Sequence, residues 1–177
     1  MEELDIEYIG ALVKRAKKKD SDALAELYAA TYPRCYRFGC RYLKDSALAR
    51  EALQETYILA FKNINSLNEP KFFTSWLNRL MFRVCFRMRA QKQASGTEED
   101  RAKLGDTSEN ISIPVDGRSY LTRQIMSLPA SESQALLHYY HDGLKVAEIA
   151  HLMEIKPGEV KRYLAEGRKK LSGSAAH

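Results

Sequence analysis

The feature that most constrains the fold lies in the last third of the chain, where residues 144–171 read LKVAEIAHLMEIKPGEVKRYLAEGRKKL. Two short runs within this segment repeat apolar residues at helical spacing, and Pro157 suits the first turn of the second run. From Pro157 to Leu171 there are five basic and two acidic residues. Two short helices joined by a tight turn, the second of them basic, are typical of a helix-turn-helix that enters a DNA major groove. A packing hairpin within an all-helical domain is the alternative.

Helical periodicity also dominates the rest of the chain, and no convincing period-two segment indicates a strand. We predict helices over residues 3–18, 21–43, 46–63, 71–93, 120–127, 130–141, 146–153 and 157–172. Pro33 falls inside the second of these helices, where it is expected to interrupt or kink the backbone. The predicted fold class is therefore all-α.

The composition changes between residues 94 and 118. This stretch holds three glycines and one proline, few large apolar residues, and six acidic against three basic residues. A flexible linker is the natural interpretation of such a composition. We therefore predict two small helical domains, residues 1–93 and 119–177, joined by a linker over residues 94–118.

Charge and hydropathy narrow the classes of function. The net charge of +5 and the pI near 9.0 favour a polyanionic partner. The acidic N-terminus has no long apolar run, so we expect neither a signal peptide nor direct membrane insertion, and we expect a cytoplasmic location. Cys35, Cys40 and Cys85 lack metal-ligand spacing, so free thiols are expected, with a redox-sensing Cys35/Cys40 pair as the alternative.

No motif predicts an enzyme. The four histidines form no HExxH pair, and the chain has no phosphate-binding loop, dinucleotide fingerprint or nucleophile elbow. The spacing of His138 and His141 is more consistent with a helix end than with a metal site. We expect no catalytic residue, no metal ligand and no cofactor.

A second basic segment, Trp76 to Lys92, contains five basic residues and no acidic one. On a helical wheel its core-facing stripe contains Leu77, Leu80, Met81, Val84 and Met88. Phe82 and Phe86 point away from that stripe and lie between arginines. Arginines beside exposed aromatic rings suit single-stranded nucleic acid, because guanidinium groups neutralise phosphates while rings stack on bases. The alternative is that both rings pack against another helix.

Several motifs resemble one known family. The chain resembles bacterial RNA polymerase sigma factors of the extracytoplasmic-function type at QETY (54–57), AF (60–61) and WL (76–77). Leu27 to Ile64 is similar to the family's polymerase-binding part, and Ser75 to Lys92 to the part that melts and reads the minus-ten promoter element. Ser127 to Leu171 resembles the fourth sigma domain, which reads the minus-thirty-five element.

The resemblance implies three sets of functional residues. The surface that docks on the largest polymerase subunit contains Glu51, Leu53, Gln54, Glu55 and Tyr57. The minus-ten element is expected to meet Trp76, Arg79, Phe82, Arg83, Phe86 and Arg87. The minus-thirty-five element is expected to meet Lys156, Glu159, Lys161, Arg162, Tyr163 and Arg168 on the outer face of the last helix. The implied partners are core RNA polymerase, promoter DNA and an inhibitory anti-sigma protein.

The sequence departs from the family pattern at five positions. Arg50 stands where a second acid is usual, and Arg83 and Arg87 stand where Asn and Asp are common. Glu154 replaces the usual turn glycine, so it must adopt a left-handed conformation or change the turn. Lys156 replaces the usual Ser or Thr cap, a loss of about 1 kcal/mol.

The sequence therefore predicts a transcription initiation factor that melts the minus-ten element with one domain and reads the minus-thirty-five element with the other. Two alternatives stay open. The first is a polymerase-independent helix-turn-helix regulator that binds duplex DNA as a symmetric dimer. The second is a sigma-like protein-interaction module that has lost promoter reading, which the departures in the helix-turn-helix motivate.

Overall fold

The structure, a computed structural model, describes residues 5–94 and 119–175, which form helices joined by short turns and contain no strand. The first four helices are α1 (Ile6–Lys17), α2 (Ser21–Leu43), α3 (Ser46–Lys62) and α4 (Phe73–Ala94), with two 3₁₀ turns, Ile64–Ser66 and Pro70–Phe72, between α3 and α4. The next four are α5 (Ser119–Met126), α6 (Ala130–Leu136), α7 (Val146–Met153) and α8 (Pro157–Ala175), with a π-helical turn, Leu137–His141, after α6.

The described helices form two compact units, α1–α4 and α5–α8. The prediction of an all-α chain with two small helical domains is confirmed. The predicted linker lies outside the described residues except for Ala94, so the domain limits at residues 93 and 119 stay predictions. Among the described helices, none combines the length and the apolar character needed to cross a membrane.

Aspartates start the first three helices. The side chains of Asp5, Asp20 and Asp45 each accept hydrogen bonds from two backbone N–H groups of the following first turn. These N–H groups have no partner within the helix, so a carboxylate at this position satisfies them and complements the positive end of the helix dipole. The local sequence thus fixes where α1, α2 and α3 begin.

Pro33 does not interrupt α2, which runs through it to Leu43. Proline removes the hydrogen bond to the carbonyl four residues earlier, which belongs to Ala29. Both Pro33 and Ala29 are exposed, so water can reach the carbonyl that lacks this donor. Burial of α2 residues on both sides of the proline, including Leu27 and Cys35, holds the helix in place.

The core of the first unit is the packing of α4 against α2 and α3. Phe73, Leu77 and Met81 on α4 are fully buried, and the Thr56 hydroxyl lies 3.3 Å from the Met81 sulfur. Gly39 allows this close approach, because a Cβ there would lie 3.0 Å from the terminal methyl of Met81. The close packing of α4 against α2 therefore requires a residue without a side chain at position 39.

The core of the second unit contains a buried polar cluster at the π-helical turn. His138 is fully buried, and its Nδ1 lies 3.0 Å from Oδ2 of Asp142. The other carboxylate oxygen lies 3.1 Å from Nδ1 of His141, and Gln134 contacts Nε2 of His138 at 3.2 Å. The interpretation of the histidines as residues of a helix end agrees with this position, just before Gly143 turns the chain at a φ of 71°.

The three cysteines are free thiols, as predicted. Cys35 and Cys85 are buried, and Cys40 is half-buried. Burial raises the pKa of the Cys35 thiol to about 12 and raises that of Cys85 as well, because a thiolate is poorly solvated in the core. A thiol with a raised pKa is a poor nucleophile at neutral pH, so these properties do not favour redox sensing by the Cys35/Cys40 pair.

Replacement of Gly167 by alanine should destabilise the second unit. A Cβ at this position would lie 2.5 Å from a methyl carbon of Leu136, which is fully buried. Overpacking costs about 1–3 kcal/mol, which exceeds the roughly 1 kcal/mol that alanine gains over glycine in a helix. Urea unfolding followed by circular dichroism measures the difference. The matched control is Gly173→Ala, where nothing lies within 4 Å, and it should be neutral or stabilising; equal effects of the two changes would contradict the packing argument.

Candidate protein-docking and nucleic-acid interfaces

The outer face of α3 presents three exposed side chains at positions 51, 54 and 58. Glu51, Gln54 and Ile58 are spaced three and four residues apart, so they lie on one stripe of the helix. Ile58 has 60% of its surface exposed, which is a large fraction for an aliphatic side chain in the middle of a helix. Two polar groups beside an exposed aliphatic residue form a surface suited to contact with another protein.

A groove of about 450 Å³ runs beside this stripe, and it is lined by Tyr28, Arg50, Leu53, Gln54, Tyr57, Ile58 and Phe61. At one end Tyr28 stacks on Tyr32 with ring centroids 5.2 Å apart, and both rings are about 40% exposed. Exposed tyrosines around an apolar groove are typical of protein-binding surfaces. We call the exposed stripe of α3 together with this groove the α3 face.

Two of the predicted docking residues are buried. Leu53 is 5% exposed and Tyr57 is 4% exposed, so they form the floor of the groove and are not projecting contacts. The Tyr57 hydroxyl hydrogen-bonds with that of Thr31, and burial is the main cause of the raised pKa of Tyr57. Their part in the site is to shape the groove, since both side chains are buried beneath it.

Glu55 does not lie on the exposed stripe of α3 either. Its carboxylate accepts a hydrogen bond from the Arg87 guanidinium in an ion pair that ties α3 to α4. The Arg87 side chain is only 12% exposed and that of Glu55 is 33% exposed, so the pair is partly shielded from water. Arg87 was predicted to contact DNA, but the structure gives it an internal role, because its side chain is directed at α3.

The prediction that Phe82 and Phe86 point outward is wrong. Both rings are buried, with 3% and 2% of their surface exposed. The Phe82 ring lies 6.3 Å from Phe38 and 6.3 Å from Tyr42, both on α2. The helical wheel assumed one core-facing stripe, whereas α4 packs against α2 on one side and α3 on another. In this structure neither ring can stack on a base.

The remaining predicted nucleic-acid residues of α4 are partly accessible. Trp76 is half-buried and its ring lies 5.9 Å from that of Phe73, which anchors it to the core. Arg79 and Arg83 are half-buried as well. Burial first, and the charge of Arg79 second, lower the pKa of the Arg83 guanidinium. The surface of α4 therefore offers guanidinium groups beside one indole.

An exposed aromatic residue precedes α4, and the sequence analysis missed it. Phe72 is 52% exposed at the end of the second 3₁₀ turn, and the Lys71 ammonium lies 5.2 Å from the centre of its ring. The sequence signal for this exposed ring was the pair of consecutive phenylalanines at 72 and 73. Only one of two neighbouring residues at the start of a helix can face the core. Phe73 is that buried neighbour, with 0% exposure.

The helix-turn-helix is present as α7, a tight turn and α8. Ile149, Val160 and Leu164 are buried and join the two helices. Glu154 adopts the left-handed conformation with φ 55° and ψ 46°, which confirms the first of the two predicted outcomes at this position. A left-handed conformation costs a non-glycine residue about 1–2 kcal/mol. The Ile155 N–H donates to the Ala150 carbonyl at 3.1 Å and satisfies the end of α7.

The predicted DNA-reading residues of α8 differ in exposure. Lys156, Lys161 and Arg162 are exposed, whereas Glu159 and Tyr163 are half-buried. The Arg162 guanidinium lies 5.1 Å from the centre of the Tyr163 ring. In a recognition helix the N-terminal residues approach the base edges, and the exposed cations of α8 lie at this end.

Arg168 is exposed but engaged within the second unit. Its Nε donates to the Tyr140 hydroxyl at 2.6 Å, and its guanidinium lies 5.3 Å and 5.4 Å from the rings of Tyr139 and Tyr140. These contacts join the π-helical turn to the C-terminal half of α8. Arg168 therefore stabilises the second unit through these two tyrosines.

In the part of the chain that the structure describes, no group of three or more His, Cys, Asp or Glu side chains is arranged to hold a metal ion. The three surfaces described above are the α3 face, the basic surface of α4 and the basic surface of α8. Their chemistry is that of recognition, with hydrogen-bonding, apolar and cationic groups.

Comparisons with known proteins match the same two units. Sigma-70 region 2 matches residues 27–95, and sigma-70 region 4 matches residues 118–171. The chain is 26% identical to the ECF RNA polymerase sigma factor SigW of Bacillus subtilis, over 90% of this chain and 92% of that relative. It is 25% identical to the ECF RNA polymerase sigma factor SigK of Mycolicibacterium vanbaalenii, over 90% and 85%.

Among solved structures, the chain is similar to CnrH in its complex with the cytosolic domain of CnrY, with a TM-score of 0.48, 14% identity and coverage of 97% and 98% of the two chains. It is also similar to the RsbN–BldN complex, with a TM-score of 0.37, 20% identity and coverage of 90% and 96%.

The Glu55–Arg87 pair should be energetically coupled. Loss of either partner leaves a partly buried charge without its hydrogen bond, which costs about 1–3 kcal/mol. Urea unfolding of Glu55→Gln, Arg87→Met and the double variant should give a coupling free energy of roughly 0.5–3 kcal/mol. The control cycle uses Lys92 and Asp45, which are 4.0 Å apart and 57% and 37% exposed, and should give about 0–1 kcal/mol. Additive effects at Glu55 and Arg87 would contradict the internal role of this pair.

Proposed function

We propose that this chain, which belongs to the extracytoplasmic-function type of the sigma-70 transcription initiation factors, docks on core RNA polymerase through the α3 face and binds promoter DNA through α4 and α8. The division of labour follows the order of the two sigma-70 regions along the chain. The first unit melts and holds the minus-ten element, and the second reads the minus-thirty-five element. We also propose domain limits of 1–93 and 119–177 with a linker between them, a cytoplasmic location beside the polymerase, and no catalytic activity of its own.

The proposal of this docking surface rests mainly on the exposure of Ile58, which lies between polar residues and an apolar groove. Glu51 and Gln54 supply an anionic and a hydrogen-bonding group on the same stripe. Ile58 and the exposed edges of Tyr28 supply apolar area. Removal of this area from water upon docking supplies binding free energy, and the polar groups fix the orientation.

Binding of the minus-ten element depends on the part of α4 that solvent can reach. Trp76 and Phe72 are aromatic side chains on which an unpaired base can stack, and stacking contributes about 1–3 kcal/mol per base. Arg79 and Arg83 lie one and two turns further along α4 and can neutralise phosphates. Trapping of bases outside the duplex lowers the free energy of the melted state and so favours strand opening.

Reading of the minus-thirty-five element depends on the first turns of α8. Lys156, Lys161 and Arg162 project from this end of the helix and are exposed. Arginine and lysine there can donate to guanine O6 and N7 in the major groove, and to phosphates. Arg168 lies further along the helix and orients the tyrosine pair, so it supports the helix without a direct part in the reading.

We propose an inhibitory anti-sigma protein as a further partner, on the basis of family membership. Such a protein would block initiation most directly by covering the α3 face, because polymerase and inhibitor would then compete for the same apolar area. A polymerase-independent regulator and a sigma-like interaction module are not favoured, since both sigma-70 regions match in the expected order.

Replacement of Ile58 by glutamate should weaken binding to core RNA polymerase at least about tenfold, because the docked state would bury an unpaired carboxylate. Ile58 is 60% exposed, so the fold of the free protein should be unaffected. Equilibrium binding of the purified chain to core polymerase measures the effect.

The control for this change is Ile6→Glu on α1, where an isoleucine of similar exposure, 62%, is converted in the same way. It should leave the affinity for core polymerase within about twofold of the unaltered chain. Equal affinities for the Ile58 and Ile6 variants would mean that the α3 face is not the docking surface.

A further inference from the structure

We infer that the corner where α1 meets the loop before α4 binds the phosphates of the unpaired promoter strand. The groups that would bind them are the ammonium groups of Lys14, Lys18 and Lys71, which we call the lysine corner. This inference deepens the proposed function and rests on it, since the strand is opened in the polymerase complex. The match to sigma-70 region 2 begins at residue 27, so it assigns no role to α1.

The end of α1 carries a run of positive charge. Residues 14–19 contain five basic and no acidic residues. Lys14 and Lys18 are exposed. The Lys17 ammonium donates to the Leu67 carbonyl, and this neutral acceptor leaves the positive charge in place. A concentration of one sign over a single turn and a half of helix produces a positive potential that an isolated charge does not.

The acidic residues that follow this run act on another side of α1. Nε of Arg15 lies 3.0 Å from Oδ2 of Asp20. The hydrogen bond and the charge of Asp20 raise the pKa of the Arg15 guanidinium, and Glu26 and Asp22 add to this shift. Neighbouring positions of a helix are about 100° apart, so Lys14 and Arg15 project from different sides of α1. The acids at the start of α2 therefore act chiefly on Arg15.

Two contacts fasten the side of α1 that carries Lys14 to the loop before α4. A Cβ at Gly10 would lie 4.0 Å from the backbone nitrogen of Lys71, so the loop passes close to α1 at this point. Two turns later the Lys17 ammonium holds the Leu67 carbonyl. Lys14 comes four residues after Gly10 and three before Lys17, so it lies on the same side of the helix, between the two contacts.

This side of α1 adjoins the ring on which we propose that an unpaired base stacks. Phe72 follows Lys71 directly and is 52% exposed, and its ring centre lies 5.2 Å from the Lys71 ammonium. Lys14 and Lys18 extend the positive charge along α1, one turn or about 6 Å apart. A base stacked on Phe72 brings its own phosphate to these cations, because base and phosphate belong to one nucleotide. Cations beside an aromatic platform are the arrangement that binds single-stranded nucleic acid.

Positive charge remains in excess when the acidic residues of both segments are included. Residues 14–22 and 67–72 together contain six basic and three acidic residues, which leaves a net charge of +3. The acid of the loop is Glu69. An ammonium group binds a phosphate as a point charge and does not distinguish one base from another. The lysine corner is therefore suited to the strand backbone, and the choice of bases is left to other residues.

The test measures the salt dependence of DNA binding by the complex of the full-length chain and core polymerase. One promoter DNA has an unpaired minus-ten segment, and a duplex fragment carries only the minus-thirty-five element. The variant is Lys14→Gln/Lys18→Gln. Each lost phosphate contact should reduce the steepness of log affinity against log salt by about 0.7 on an unpaired strand, so the variant should lose about 1.4.

We expect Lys14→Arg/Lys18→Arg to keep the original slope, because both charges are retained, and we expect neither variant to change the affinity for core polymerase. The control is Lys44→Gln, which removes an exposed lysine after the other end of α2. The 23 residues of α2 span about 34 Å, so Lys44 is far from the lysine corner. This control should leave the slope unaltered.

Three results would overturn the inference while the proposed function stands. The first is a slope for the double glutamine variant equal to that of Lys44→Gln. The second is a reduction on the duplex fragment as large as that on the unpaired strand, since the corner would then bind duplex DNA. The third is a loss of core affinity with an unchanged slope, since the corner would then bind protein.

Failure of the proposed function is seen earlier, in the measurement on the unaltered chain. If this chain and core polymerase form no promoter complex, the proposed function fails and the inference fails with it. A complex that forms and shows one of the three results above removes the inference alone.

Discussion

The packing of α4 between α2 and α3 is the constraint on which the rest of the first unit depends. Phe82 packs against Phe38 of α2, Met81 lies beside Thr56 of α3, and Phe86 is buried in the same core. Since two sides of the helix are committed to the core, only part of its basic surface is left for a partner. The same packing turns Arg87 toward Glu55.

One ion pair joins the two helices to which we assign the proposed binding surfaces of the first unit. The carboxylate of Glu55 belongs to the helix whose outer face we propose for docking, and Arg87 belongs to the helix that we propose for DNA. A partly shielded ion pair restrains one helix relative to the other. The second unit has its own core, in which the left-handed turn at Glu154 sets the angle between α7 and α8.

Much of the fold follows from the sequence, because caps and apolar periodicity are local signals. Asp20 and Asp45 start their helices as capping rules require, and the left-handed Glu154 follows from the short connection between α7 and α8. The candidate site was harder to predict from the sequence than the fold. The wheel of α4 could not reveal that Phe82 meets Phe38, because their contact joins residues far apart in the chain. For the same reason the sequence could not identify Arg87 as the partner of Glu55.

The measurement that tests the account most directly is run-off transcription with purified core RNA polymerase and this chain as the only initiation factor. The template is a library of genomic fragments, and the products are mapped to their start sites. The account predicts a defined set of starts that require the chain, share sequence elements near minus ten and minus thirty-five, and disappear with Ile58→Glu. A stable complex with core polymerase that initiates at no defined start would contradict it.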